Sequence, residues 1–320
     1  MSDRIVAVVG TRYPDLSIEQ AILAPLGVTL RSAPATTSQD LLAAAEHAEV
    51  VLAGSGPRFD RPVLAALRGR GIVRYGIGTD SIDLDAAREH GIWVARVSDY
   101  GTEAVATHAV ALALAGSRRL TAANAHVQRG GWGFADLRPL HLPSACTAGV
   151  VGYGRIGRHA AGQLRGLGFT VIAHDPYLTE ADDGTPLVGL SELLGRSDVV
   201  TLHLPGHPDG RPLLGREELA HCRPGSVLVN TARGTLIDRA ALIEALGQGR
   251  PAVAALDVFD HEPVDGTVFA DVADQVVLTP HMAWYSEESE HDLRVKASQE
   301  AARLLRGERP TDVVVDPTED

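Results

Sequence analysis

The segment Ala148-Gly-Val-Val-Gly-Tyr-Gly-Arg-Ile-Gly157 joins a short apolar run to the start of a helical pattern. It contains Gly152, Gly154 and Gly157 in the spacing GxGxxG. In a strand-turn-helix unit the first glycine permits a tight turn, the second lets backbone N–H groups approach a pyrophosphate, and the third lets helix and strand pack closely. The start of the helix adds positive partial charge for the phosphates. The segment therefore predicts a dinucleotide-binding βαβ unit.

An acidic residue follows at the position that such a unit requires. The next apolar run, Phe169-Thr-Val-Ile-Ala-His174, leads into Asp175, about 20 residues beyond the glycines, where a carboxylate accepts hydrogen bonds from a ribose diol. No arginine lies between residues 176 and 184 to hold a 2′-phosphate. The sequence therefore predicts NAD rather than NADP, with FAD as an alternative ligand of the same glycine turn.

Short β-branched runs alternate with helical stretches over nearly the whole chain. This alternation predicts an α/β fold with parallel sheets covered by helices on both faces. The rhythm changes at Thr102 to about Val127, which we interpret as one long buried helix, and Arg129–Ser144 is interpreted as a loop. The predicted strands are Ile5–Val9, Val28–Arg31, Val50–Ala53, Ile72–Tyr75, Ile92–Ala95, Ala148–Val151, Val171–Ala173, Val199–Leu202, Val227–Asn230, Val253–Leu256, Val276–Leu278 and the short run Val313–Val315.

Composition limits the class of protein. The chain of 320 residues is 45% hydrophobic and 22% charged, which is typical of a folded protein whose length favours two domains. Its net charge of -12, without a cluster of Lys and Arg, argues against nucleic acid as a partner. Cys146 and Cys222 lack the spacing of a metal site or a disulfide framework. With no leader-like start and no run of about 18 apolar residues, we expect a cytoplasmic protein that binds neither a membrane nor a metal.

Three later segments fall at the ends of predicted strands, where ligands bind in doubly wound sheets. They contribute Arg233, Glu262 and His281. Together with the glycine segment and Asp175, and in the same order along the chain, they resemble the motifs of the D-isomer-specific 2-hydroxyacid dehydrogenases. The segments are Val229-Asn-Thr-Ala-Arg-Gly-Thr-Leu-Ile-Asp238, Ala255-Leu-Asp-Val-Phe-Asp-His-Glu-Pro263 and Leu278-Thr-Pro-His-Met-Ala-Trp-Tyr-Ser-Glu287.

The resemblance implies a domain organisation. It implies two Rossmann-like or flavodoxin-like domains with parallel sheets and an active site in the interdomain cleft. The substrate-binding domain would be discontinuous, with residues 1–98 and 289–320, and would flank an NAD-binding domain at residues 99–288. A homodimer is also implied, in which residues 102–138 pack against the partner.

The resemblance further implies an NAD-dependent D-2-hydroxyacid dehydrogenase, acting also as a 2-keto acid reductase. Hydride addition to a keto acid forms an alkoxide, which needs a proton, and an imidazolium is the side chain best suited to supply it near neutral pH. We expect His281 in this role, beside a buried Glu262 that favours the charged ring. Arg233 offers a planar set of donors for the carboxylate and carbonyl of the substrate.

Other residues of the matching motifs are expected to contact the cofactor. Most of them belong to the glycine turn or follow directly after a predicted strand. The expected contacts are Gly152, Gly154, Arg155, Ile156, Gly157, Asp175, Pro205, Thr231, Ala232 and Asp257.

The segment Val73-Arg-Tyr-Gly-Ile-Gly-Thr-Asp-Ser-Ile-Asp83 resembles the family's loop for the substrate carboxylate. Backbone N–H groups of such a turn can hold an anion. Arg74 and Trp284 further resemble the branch that includes the C-terminal-binding proteins, in which Trp284 would add an apolar wall beside the substrate. The expected substrate contacts are Arg74, Tyr75, Gly76, Ile77, Gly78 and Trp284.

Two other functions fit parts of this pattern. Relatives in the C-terminal-binding-protein group act as corepressors whose assembly responds to NAD(H), so a dimeric NAD(H)-sensing scaffold with weak or no turnover is the alternative. Turnover on 2-keto acids distinguishes the two. A phosphite or formate dehydrogenase shares the fold and cofactor, but Pro280 stands before His281 where a formate-type site would have Gln.

Overall fold

The computed structural model describes residues 4–11, 13, 15–35, 37–207 and 209–319. The chain divides into two compact units, one comprising Met1–Gly101 and Ser286–Asp320 and the other Thr102–Tyr285. Each unit contains a six-stranded sheet. The predicted α/β class with two largely parallel sheets is confirmed.

The first unit is an α/β layer structure with strand order β12-β5-β4-β3-β1-β2, in which β12 runs antiparallel to β5 and the other pairs are parallel. Numbered along the whole chain, its strands are β1 (Arg4–Val9), β2 (Val28–Ala33), β3 (Ala48–Ala53), β4 (Gly71–Arg74), β5 (Trp93–Ala95) and β12 (Val313–Val315). Its helices are α1 (Ser17–Leu23), α2 (Ser38–Ala45), α3 (Arg61–Ala66), α4 (Leu84–Glu89) and α11 (Glu287–Arg306).

The second unit contains a wholly parallel sheet of order β11-β10-β9-β8-β6-β7. Its strands are β6 (Thr147–Val151), β7 (Thr170–His174), β8 (Val199–Leu202), β9 (Val227–Asn230), β10 (Val253–Leu256) and β11 (Val276–Leu278). Its helices are α5 (Thr102–Ser117), α6 (Leu120–Gln128), α7 (Arg155–Gly166), α8 (Leu190–Arg196), α9 (Arg216–His221) and α10 (Arg239–Gly247).

Both faces of the second sheet are buried, because successive side chains of a strand point to opposite sides. On β9, Leu228 belongs to one apolar core and Val229 to the other. On β10, Leu256 and Ala255 divide in the same way. This two-sided burial explains why the strands read as continuous apolar runs, so their positions could be predicted.

The prediction of one helix from Thr102 to about Val127 is wrong. Helix α5 ends at Ser117, and Arg119 adopts a left-handed backbone with φ of 52° before α6 begins. A Cβ on Gly116 would lie 2.6 Å from Val227 Cγ1, so the end of α5 lies close against the sheet. Residues 120–128 of α6 include no buried residue, which shows that the burial of α5 does not extend along α6.

A buried ion pair joins the two chain segments of the first unit. Arg294 on α11 donates to both carboxylate oxygens of Glu19 on α1, at 2.9 and 2.7 Å, and Glu19 is fully buried. Tyr75 donates its hydroxyl to the same carboxylate at 3.0 Å. Because a buried charge needs a partner, this contact ties the last long helix, α11, to the first helix, α1.

A helix that spans a lipid bilayer is both long and apolar. Among the described residues, no helix combines enough of both properties to do so.

Candidate active site

The glycine turn forms a cradle at the end of β6. Gly152 has a positive φ of 88°, and Gly154 is the N-cap of α7. A Cβ on Gly157 would lie 2.0 Å from the backbone oxygen of Gly152, so only glycine lets the helix approach the strand this closely. A Cβ on Gly154, in contrast, would meet nothing within 4 Å. The second glycine therefore leaves open space in front of the helix N-terminus, which fits a pyrophosphate.

Asp175 follows β7 beside this cradle. Its carboxylate accepts hydrogen bonds from the N–H groups of Tyr153, at 2.9 Å, and Tyr177, at 3.0 Å. Each contact uses a different carboxylate oxygen, so the carboxylate orientation is fixed relative to the glycine turn. This arrangement fits a group that accepts hydrogen bonds from a ribose diol.

The other expected cofactor residues lie at the same edge of the sheet. Arg155 and Ile156 form the first turn of α7, and Pro205 follows β8. Thr231 and Ala232 follow β9, and in the described part of the chain the buried Thr231 Oγ1 has no hydrogen-bond partner. A buried hydroxyl without a partner fits a position where a ligand supplies one.

Asn230 is a residue of this edge that the sequence did not identify. Its side-chain oxygen accepts from the Ala232 N–H at 3.0 Å, and its Nδ2 donates to the Arg233 carbonyl at 2.8 Å. An asparagine that bonds its own neighbouring backbone fixes a turn. The Asn that directly precedes Thr-Ala-Arg in the sequence was the available signal.

His281 and Glu262 form the central contact of the site. His281 Nδ1 lies 2.6 Å from Glu262 Oε2, while Glu262 Oε1 accepts the Phe259 N–H at 3.0 Å. Arg233 is near enough for its charge to act on Glu262, and its Nη1 donates to the Ala232 carbonyl at 2.7 Å. The three expected catalytic side chains thus lie at the carboxyl ends of β9, β10 and β11.

Glu262 is not the buried carboxylate that we expected. Its side chain is 35% exposed, and that of His281 is 47% exposed. Burial by itself raises the pKa of Glu262, but the hydrogen bonds from His281 and the Phe259 N–H, with the charge of Arg233, hold that pKa below its ordinary value. The contacts of Glu262 therefore favour its ionised form and outweigh the effect of its partial burial.

The backbone of His281 is left-handed, with φ of 53°. Its N–H donates to the Asp257 carbonyl at 2.8 Å and also approaches the Thr279 carbonyl at 3.1 Å. A left-handed conformation is uncommon for residues other than glycine, and at His281 these two hydrogen bonds stabilise it. The turn is therefore held by Asp257, the residue directly after β10.

Asp257 itself lies behind this turn. Its residue is fully buried, and its carboxylate accepts the N–H groups of Met282 and Ala283 at 2.9 and 2.8 Å. Its observed contacts are with the protein backbone, and its contact with a cofactor stays a prediction.

In the first unit, the segment expected to bind the substrate carboxylate is a turn after β4. Arg74 is buried, and its Nε and Nη1 donate to the carbonyls of Gly78 and Ala53, each at 2.9 Å. Tyr75 is buried as well. The side chains of Arg74 and Tyr75 thus form hydrogen bonds within the protein. A contact with substrate is expected from the backbone of Gly76, Ile77 and Gly78, and this role stays a prediction.

Tyr100 is a second residue that was not among the predicted site residues. A Cβ on Gly76, whose φ is 134°, would lie 3.6 Å from the Tyr100 hydroxyl. This places a polar group beside the turn.

Trp284, the expected apolar wall beside the substrate, lies in the second unit. It packs edge to face on Tyr285, with ring centroids 5.7 Å apart, and is partly buried. Its contact with substrate stays a prediction.

Comparison with protein families supports this reading of the site. The model described as "D-isomer specific 2-hydroxyacid dehydrogenase, NAD binding domain" matches residues 110–283. That range includes the glycine turn, Asp175, Arg233, Glu262 and His281. The cofactor is therefore NAD, as the sequence predicted.

Individual proteins agree with the family match. D-3-phosphoglycerate dehydrogenase of Mycobacterium tuberculosis is 37% identical over 278 residues, which cover 86% of this chain and 52% of that protein. This chain thus spans about half the length of the curated relatives it matches.

Solved structures match nearly the whole chain. The TT0316 protein of Thermus thermophilus has a TM-score of 0.87 and 32% identity, covering 97% of this chain and 100% of that one. D-lactate dehydrogenase of Aquifex aeolicus, solved with NAD and lactic acid, has a TM-score of 0.84 and 25% identity, covering 94% and 96% of the two chains.

Two glycine substitutions should separate packing from cofactor binding. Gly157→Ala should destabilise the protein by about 1–3 kcal/mol, because the new methyl group would meet the Gly152 backbone oxygen. Gly154→Ala should cost less than about 1 kcal/mol, because its methyl group enters open space and only the preference for glycine at the N-cap is lost, but it should weaken NADH binding. Urea unfolding and NADH fluorescence titration measure the two effects. Equal destabilisation by both variants, or wild-type NADH affinity of Gly154→Ala, would contradict this assignment.

Proposed function

Because the chain belongs to the D-isomer specific 2-hydroxyacid dehydrogenase family, we propose that it interconverts a 2-keto acid and the matching D-2-hydroxy acid. The observation that carries this proposal is the 2.6 Å contact of His281 with Glu262. This pair lies on the same sheet edge as the glycine turn that fits NAD. The intact pair, with Arg233 beside it, favours turnover over sensing alone.

The roles of the side chains follow from their contacts. His281 Nδ1 is occupied by Glu262, so Nε2 is the nitrogen available to the substrate oxygen. In reduction, His281 Nε2 donates its proton to the oxygen that becomes the hydroxyl group, and Glu262 stabilises the imidazolium before transfer. In oxidation, the same nitrogen accepts the proton. Arg233 binds the carboxylate of the acid and polarises the neighbouring carbonyl.

NAD supplies the chemistry that no side chain offers. When bound, its reduced nicotinamide is the hydride donor to a keto carbon. The residues proposed to hold the cofactor are the glycine turn, Asp175 and the buried hydroxyl of Thr231.

The proposed substrate class is a small 2-hydroxy acid or its 2-keto form. The relatives carry names for different members of this class, among them 3-phosphoglycerate and lactate. A panel of pyruvate, glyoxylate, a branched 2-keto acid and 3-phosphohydroxypyruvate covers both phosphorylated and unphosphorylated side chains.

Replacing His281 tests the proposed chemistry. His281→Ala should lower kcat for keto acid reduction by about 10²- to 10⁴-fold, because it removes the proton donor, while NADH affinity stays near that of the wild type. NADH oxidation across the panel, with NADH fluorescence titration, measures both. The exposed His291 on α11 provides a control, since His291→Ala should keep full activity. Tight NADH binding without turnover of any acid by the wild-type protein would favour the sensor instead.

We further propose that the chain forms a homodimer through α6 and the loop after it. This region exposes large apolar side chains that would be unfavourable in water: Trp132 is 90% exposed, Leu142 68% and Phe134 63%. Leu120 and Val127 on α6 are more than half exposed as well. A second copy of the chain would present the same apolar surface in return.

Two charges placed on this surface test the dimer. Trp132→Asp with Phe134→Asp should convert the dimer into a monomer, because the charges would have to be buried in the interface. Sedimentation at micromolar concentration measures the mass, with Tyr177→Asp as the control, since Tyr177 is 93% exposed but lies after β7. A monomer mass for the wild-type chain would contradict the proposal.

A further inference from the structure

His108 lies on α5, in a segment that the proposed mechanism does not use. The helix packs against β8 to β11, the strands whose ends carry the site. The His108 side chain is 20% exposed, and its Nε2 lies 3.1 Å from Thr279 Oγ1. The imidazole of His108 therefore contacts a side chain that lies two residues before His281.

The direction of the hydrogen bonds can be assigned from the groups involved. Thr279 Oγ1 lies 2.5 Å from Asp257 Oδ1, and a carboxylate only accepts, so the threonine hydroxyl donates its single proton to Asp257. The contact between His108 and Thr279 must therefore use an N–H of the imidazole as donor. The result is a one-way chain from His108 through Thr279 to Asp257.

Asp257 connects this chain of hydrogen bonds to the backbone of His281. Its carboxylate accepts from Met282 and Ala283, and its carbonyl accepts from His281 itself. Three consecutive N–H groups are thus bound by one fully buried residue. These contacts enforce the left-handed backbone of His281, and that backbone sets where the imidazole lies relative to Glu262.

We propose that His108 is a positioning residue for His281. The proposal rests on the proposed proton-transfer role of His281. His108 supplies the donor that fixes the Thr279 hydroxyl, the hydroxyl fixes one oxygen of Asp257, and Asp257 fixes the turn. Without that donor the Thr279 hydroxyl can rotate, which weakens one of the three hydrogen bonds to the Asp257 carboxylate. The His281 imidazole then spends less time in the geometry for transfer.

A matched pair of variants separates hydrogen bonding from packing. His108→Gln keeps an N–H donor at about the position of Nε2, whereas His108→Leu fills similar space without a donor. We expect His108→Leu to lower kcat about tenfold, the effect of one lost hydrogen bond on a barrier, with KM and NADH affinity within about twofold of wild type. We expect His108→Gln to keep kcat within about twofold. Wild-type kcat in both variants, or an equal loss in both, would overturn the proposal.

The NMR signal of the His281 imidazole tests the positioning role of His108 independently of turnover. In protein labelled with ¹⁵N-histidine, the His281 imidazole signal is identified by its absence in His281→Gln. We expect this signal to shift or broaden in His108→Leu and to stay in place in His108→Gln, in the protein without added ligand. An unchanged His281 signal in His108→Leu would overturn the proposal. If the wild-type protein turns over no acid, the proposed function fails, and this signal alone decides the positioning role.

Discussion

The parallel alignment of β6 to β11 determines where chemistry can occur in the second unit. It brings the carboxyl ends of all six strands to one edge of one sheet. The glycine turn follows β6, Asp175 follows β7, the turn around Asn230 closes β9, and His281 follows β11 within three residues. Residues far apart in the sequence thus share one edge, and Gly157 lets α7 pack closely against the glycine turn at that edge.

The site combines a buried, hydrogen-bonded residue, Asp257, with the partly exposed side chains of Glu262 and His281. At the back, Asp257 is buried and binds the turn of His281, whose left-handed backbone costs about 1–3 kcal/mol in a free chain. At the front, Glu262 and His281 are partly exposed. Their contact favours the ionised form of Glu262 despite its partial burial, so His281 has an anionic partner without the large desolvation penalty of a buried charge.

Much of this arrangement could be predicted because it depends on local pattern. The bounds of β8, β9, β10, β11 and β12 coincide with those predicted, since buried parallel strands are continuous apolar runs. The glycine turn could likewise be predicted, because the positive φ of Gly152 and the close approach at Gly157 each require glycine. The break at Arg119 could not be predicted, because the apolar pattern continues on both sides of it, whereas the last buried residue of the two helices is Gly116.

The remaining features depend on contacts between distant residues. His108 and Thr279 are 171 positions apart, so no spacing could indicate their hydrogen bond. The inward direction of Arg74 and Tyr75 depends on carbonyls and a carboxylate elsewhere in the first unit. The exposure of Glu262 likewise follows from the path of the chain after β10 and not from its sequence neighbours.

The most direct test on the wild-type protein is to trace the transferred hydride from NADH into the product. A 2-keto acid that it turns over would be incubated in ordinary water with NADH carrying two deuterium atoms at C4. The product would then be analysed by mass spectrometry and chiral chromatography. We expect a D-2-hydroxy acid with one deuterium at C2, because the hydride comes from the cofactor and the proton on oxygen comes from His281. A product without deuterium, or with the L configuration, would contradict the proposed function.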